Sequence, residues 1–145
     1  AAASGLFALV FVVGIVVGPT AGRASDRYSR TGTVLACLVC GVAGVGGLLG
    51  LSGLPALGAS VVVAAAGLTA LFPVMQAFLL DRFPDGSTGG DLGAVKAVYT
   101  GVGALGPTFV GVVAGRASYA AGFAVLGGLL VVGLALTVRL HLHER

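Results

Sequence analysis

The densest cluster of ionisable side chains is Gly22-Arg23-Ala24-Ser25-Asp26-Arg27-Tyr28-Ser29-Arg30, one acid among three arginines and four residues after a glycine. A carboxylate placed there can pair with a guanidinium, or it can accept hydrogen bonds from the exposed N–H groups at a helix start. Gly22 would let two helix ends approach closely. A loop that only gathers positive charge has no use for Asp26. The chemistry on offer is electrostatic pairing.

Other groups could do chemistry in a different setting. Cys37 and Cys40 have redox-pair spacing, but they lie in an uncharged run with no preceding strand and no nearby histidine. They read as two small apolar residues. Gly101-Val102-Gly103-Ala104-Leu105-Gly106 spells a dinucleotide fingerprint without the strand before it or the acid about 20 residues after it. Its glycines, with Gly111, read instead as a groove for a neighbouring helix, and Pro107 as a kink. Gly41, Gly44, Gly46, Gly47 and Gly50 invite the same packing reading, and Gly46 and Gly50 form a small-x-x-x-small pair suited to it. His141 and His143 lie two apart near the end of the chain, and by themselves they make no metal site.

Polar side chains within apolar stretches remain, and at membrane depth each is a functional candidate. They are Thr69, Gln76, Tyr99, Thr100 and Thr108. A threonine hydroxyl readily bonds its own helix backbone. Gln76 and Tyr99 need a partner or water, and Gln76 follows Pro73, whose missing N–H frees a carbonyl one turn back. No Asp, Glu or His stands in these stretches, so neither a nucleophile–base pair nor a metal-ligand set is available to an intramembrane enzyme. No cofactor and no metal are expected.

The surrounding sequence says what must position these groups. Eight basic and five acidic residues among 145, 57% apolar residues and a mean hydropathy of +1.09 leave too little charge to cover a water-soluble surface. The same figures exclude disorder. The net charge of +3 is accounted for by arginines at the ends of apolar runs, so no nucleic-acid partner is implied. With roughly 20 residues needed per crossing, the apolar runs predict five transmembrane helices at about 3–21, 32–51, 56–80, 92–115 and 118–139. Their continuity lacks the alternation of a membrane barrel. Every basic residue but Arg116 falls on one side of that arrangement, which the positive-inside rule makes cytoplasmic together with the C-terminus. The start inside an apolar run, without Met, predicts that a longer protein extends upstream of Ala1.

The spelling G-x-x-x-D-R-x-x-R, carried by Gly22, Asp26, Arg27 and Arg30, resembles the signature loop of the major facilitator superfamily. Ser29 replaces the family's usual glycine, and Ala24 replaces a bulky apolar residue, as in the weaker copy of the second half. Asp81-Arg82-Phe83-Pro84, Gly89-Gly90-Asp91-Leu92-Gly93 and Gly103-Ala104-Leu105-Gly106-Pro107 resemble the region of the tenth and eleventh helices. Arg116-Ala117-Ser118-Tyr119 with Gly122-Phe123 resembles the join to the twelfth. The short tail His141-Leu142-His143-Glu144-Arg145 places the chain at the end of such a protein rather than in its first half.

The resemblance implies an all-α membrane protein, the last five helices of a twelve-helix bundle. It implies a secondary active transporter of a small solute, working by alternating access in the cell membrane. The first, third and fourth helices here would line the central cavity, and Asp26 would hold the start of the fourth in one state. Partners would be the lipid bilayer, the missing N-terminal half and a small-molecule substrate. The competing expectation is a membrane subunit of a multi-protein permease complex, which would need a cytoplasmic coupling helix that the segment at 81–91 is too short and Gly-rich to form.

Overall fold

Apolar backbone can cross a bilayer only with its polar groups bonded internally. The computed structural model, which describes residues 2–83 and 88–143, accordingly forms α1 (Ala2–Arg27), α2 (Arg30–Gly50), α3 (Leu54–Leu80), α4 (Thr88–Arg116) and α5 (Tyr119–His143). All five are long and apolar enough to cross a membrane. The fold is an all-helical membrane protein. Residues 84–87, within the polar segment after α3, and 144–145 of the tail lie outside the described residues.

The helix ends depart from expectation where polarity was taken for a helix stop. Most of the expected nine-residue loop is helix: α1 continues through Gly22 to Arg27, leaving only Tyr28 and Ser29 before α2. Nothing in Arg23-Ala24-Ser25-Asp26-Arg27 breaks a helix, so leaving the apolar layer does not end it. For the same reason α5 carries on through Arg139 to His143, where His143 Nδ1 donates to the Arg139 carbonyl at 2.9 Å.

Ser29 makes the sharp join between α1 and α2. Its backbone is extended (φ −160°, ψ 129°) and its Oγ accepts from the Gly32 N–H at 3.1 Å. This is an N-cap, satisfying a donor that the first turn leaves unpaired. Replacing Ser29 by alanine should cost about 1 kcal/mol, read as a lowered unfolding midpoint, whereas Ser29→Gly should cost only a few tenths.

The centre of the bundle is the antiparallel α2–α3 pair. Leu51-Ser52-Gly53 joins the two helices, with Gly53 at φ +96°, a backbone conformation that side chains with a Cβ resist. A Cβ on Gly44 would stand 2.5 Å from the Ala64 Cα, and one on Gly67 would stand 2.5 Å from the Gly41 nitrogen. Backbone therefore lies directly on backbone, the arrangement small residues permit in membranes. The stripe that does this is Gly41, Gly44 and Gly47 against Ser60, Ala64 and Gly67. Gly46 and Gly50 have no described neighbour within 4 Å of their Cβ positions, because they face away from α3.

Around this pair, α1 lies on α3 with Gly14 beside Thr69, and α5 lies on α2 with Gly127 beside Val45. Val34, Leu38 and Val74 form the buried core, flanked by Leu71, Met75, Leu130 and Leu134. α4 packs mainly on α5, where Gly122 meets Val110, and touches α3 only lightly. Phe7, Phe11, Ile15 and Val16 of α1 and Val98, Val102 and Leu105 of α4 remain exposed. In water that would be a liability; against lipid or further helices it is not. Prolines lie inside α1 (Pro19), α3 (Pro73) and α4 (Pro107).

Candidate functional site: an ionic junction and a polar pair

The ends of α1, α2 and α3 meet at the basic end of the bundle at the guanidinium of Arg30. Arg30, in the first turn of α2, donates from Nη1 to Asp26 Oδ1 at 2.8 Å and from Nε to Asp81 Oδ2. Asp26 stands in the last turn of α1, and Asp81 caps the C-terminus of α3. Arg30 is the most sheltered of the three, with its side chain 28% exposed against 68% for Asp26 and 48% for Asp81. Ion pairs this wet are worth about 0–1 kcal/mol each. They can join helix ends without locking them.

This junction differs from the expected one. Asp26 was to hold the start of α4; here it pairs with Arg30, because the two-residue break at Tyr28 and Ser29 brings the α1 and α2 ends side by side. Gly22 is half-buried within the helix, with no described atom within 4 Å of its Cβ position, so the close approach expected there is not made. Arg27 is exposed. The sequence marks Asp81 within the Asp81-Arg82-Phe83-Pro84 spelling but not as a partner of Arg30, yet a signal existed. An acid at a helix C-terminus faces the negative end of the dipole, so it needs a cation nearby. Arg82 stacks on Phe78, with its guanidinium carbon 3.7 Å from the ring centroid, a contact that the i, i+4 spacing could have announced.

The second site lies between α3 and α4. Leu71, Phe72, Met75 and Gln76 share one face of α3, and Tyr99 reaches across from α4. They enclose an open cleft of about 280 Å³. Gln76 Nε2 donates to Tyr99 Oη at 3.3 Å, and the Phe72 and Tyr99 rings stand 6.2 Å apart at 45°. The structure thus brings together the two polar residues that could not satisfy themselves locally. The Thr69 hydroxyl donates to the Ala65 carbonyl at 2.6 Å, beside Gly14 of α1. Thr100 and Thr108 are exposed on α4, apart from the cleft. Gly103, Gly106 and Gly111 have no described neighbour within 4 Å of their Cβ positions; the groove they form with Pro107 is open.

Cys37 and Cys40 are free thiols at the α2–α3 contact, Cys37 buried. Among the described residues no group of three His, Cys, Asp or Glu side chains is placed to hold a metal ion.

The sequence model of the Major Facilitator Superfamily matches residues 1–145. No curated protein and no solved structure matches the chain.

Proposed function

The chain belongs to the major facilitator superfamily, and from that premise we propose that it supplies the last five helices of a secondary active transporter that moves a small solute by alternating access. In this reading a rocking motion about a central site carries the solute between two six-helix halves, the N-terminal half lying upstream of Ala1. α1, α3 and α4 line the cavity, while α2 and α5 stand outside it; the internal prolines fall in the first group and in neither of the second. The basic end faces the cytoplasm of a cell-membrane protein, by the positive-inside rule. Family membership favours this over a permease-complex subunit.

The observation that carries the reading is the Asp26–Arg30–Asp81 junction. A transporter needs contacts at one face that hold in one state and part in the other, and exposed ion pairs joining three helix ends meet that need. The test uses the intact protein with Cys37 and Cys40 replaced by alanine and a cysteine at Thr108. Asp26→Asn should raise labelling by an impermeant thiol reagent added on the basic side about fivefold, the shift that roughly 1 kcal/mol allows. Membrane insertion should be unchanged. An unaltered labelling rate would count against the latch.

A further inference from the structure

Resting on the reading of the α3–α4 cleft as part of a transport site, we infer that the cleft selects an uncharged small molecule with a flat apolar body and one group that both donates and accepts a hydrogen bond. The lining residues Leu71, Phe72, Met75, Gln76 and Tyr99 carry no ionisable carboxylate, amine or guanidinium. A charged ligand seated there would give up its hydration without a counter-ion, a cost that neutral ligands escape. The apolar body has a matching surface: Phe72, 58% exposed, and Tyr99 form an angled aromatic wall, with the flexible Met75 beside it.

The polar requirement follows from counting donors and acceptors. In the resting pair the Tyr99 oxygen accepts from Gln76, which leaves the Tyr99 O–H and the second Gln76 N–H to donate and the Gln76 Oε1 to accept. The Tyr99 O–H and the second Gln76 N–H, as donors, and the Gln76 Oε1, as acceptor, stand within a side chain's width of each other. A carboxamide, a lactam or a hydroxyl answers both; a carboxylate cannot donate, and an ammonium cannot accept. The Gln76–Tyr99 bond holds the two groups in place until a ligand of that kind engages them.

The nearest challenge comes from Lys96, which lies one turn before Tyr99 on α4, with Asp91 a further turn and more away. On α3 the nearest ionisable group is Asp81, engaged by Arg30. If Lys96 reached the cleft, the preference would be for anions.

The experiment compares three naphthalene probes of one shape: 2-naphthamide, 2-naphthoate and 2-naphthylmethylammonium. Each is titrated into the intact protein in phosphatidylcholine nanodiscs, with empty discs subtracted. This chain contributes no tryptophan fluorescence, since it has none. The amide should bind at least tenfold tighter than either charged probe. Gln76→Leu and Tyr99→Phe should each weaken the amide roughly five- to tenfold, the worth of one neutral hydrogen bond. Lys96→Gln should leave it unchanged. Tighter binding of naphthoate, lost in Lys96→Gln, would overturn the neutral-ligand assignment and leave the cleft standing as a site. Binding of no probe, or binding indifferent to Gln76, Tyr99 and Phe72→Ala, would overturn the cleft as a site. The charge series on the unaltered protein keeps the test decisive even if a variant misfolds.

Discussion

Gly67→Val should take apart the α2–α3 pair and leave little folded protein. A Cβ at Gly67 meets the Gly41 nitrogen at 2.5 Å and the Cys40 Cβ at 2.9 Å, and the Cys37 carbonyl lies closer still. A flexible side chain could swing aside, but backbone of a paired helix cannot. Overpacking against movable neighbours typically costs 1–3 kcal/mol, and against fixed backbone the cost exceeds that range. Gly67→Ala should already cost about 3 kcal/mol, and Gly44→Ala a similar amount against the Ala64 backbone. The two free thiols supply the readout. Cys37 is buried at this contact, so a thiol-reactive fluorophore reports the moment the helices part during a thermal ramp. Gly106→Ala and Gly111→Ala, with no described neighbour near their Cβ positions, should stay within about 0.5 kcal/mol in the same chain. Equal melting of Gly67→Ala and Gly106→Ala would refute the packing described for α2 and α3.

The second large effect is on conformation rather than stability. Arg30→Gln removes the side chain that bridges both Asp26 and Asp81, leaving two carboxylates near one another without their shared cation. The unfolding midpoint should move little, because exposed pairs contribute about 0–1 kcal/mol each. The equilibrium between open and closed basic ends should move more, roughly tenfold, since both contacts bias the same two-state element. Spin-label distances between the α1 and α3 ends would read this as a population shift in the intact protein. Exchanging the charges, with Arg30→Asp and Asp81→Arg together, should restore part of it. A single variant that melts several degrees lower with no change in the distance distribution would make the junction a structural brace instead.

How much of this could be read in advance depends on which interactions are local. Five helices follow from run lengths and from the backbone's need for internal bonds, so composition alone carried them. Their ends did not follow, because polarity marks where the membrane stops and says little about where a helix stops, as Gly22–Arg27 shows. Gln76 and Tyr99 were legible as residues needing partners, and each is the other's partner. That Asp26 pairs with Arg30 rather than reaching α4 depends on a two-residue turn that the loop's composition concealed. Gly41, Gly44, Gly46, Gly47 and Gly50 of α2 all read as packing residues, and the small-x-x-x-small spelling marked Gly46 and Gly50 among them, while the contact runs through Gly41, Gly44 and Gly47. Sequence gives the spacing of small residues; which stripe faces the neighbour is set by the rotation of the whole helix.

The three-residue join at Leu51-Ser52-Gly53 bears on how the protein is made. Helices neighbouring in sequence and touching along their backbones form contacts of short range, the kind that close fastest and need no later segment. During synthesis, α2 and α3 have their complete mutual surface as soon as Leu80 has left the ribosome, tens of residues before α5 exists. α4 has no such companion behind it: its main contact is with α5, which follows it. The α2–α3 hairpin, with α1 already available to lie on α3, is therefore complete before α4 meets its main partner. A newly made protein held at that stage has the α2–α3 contact complete, while the faces of α4 and α2 that will meet α5 are still open.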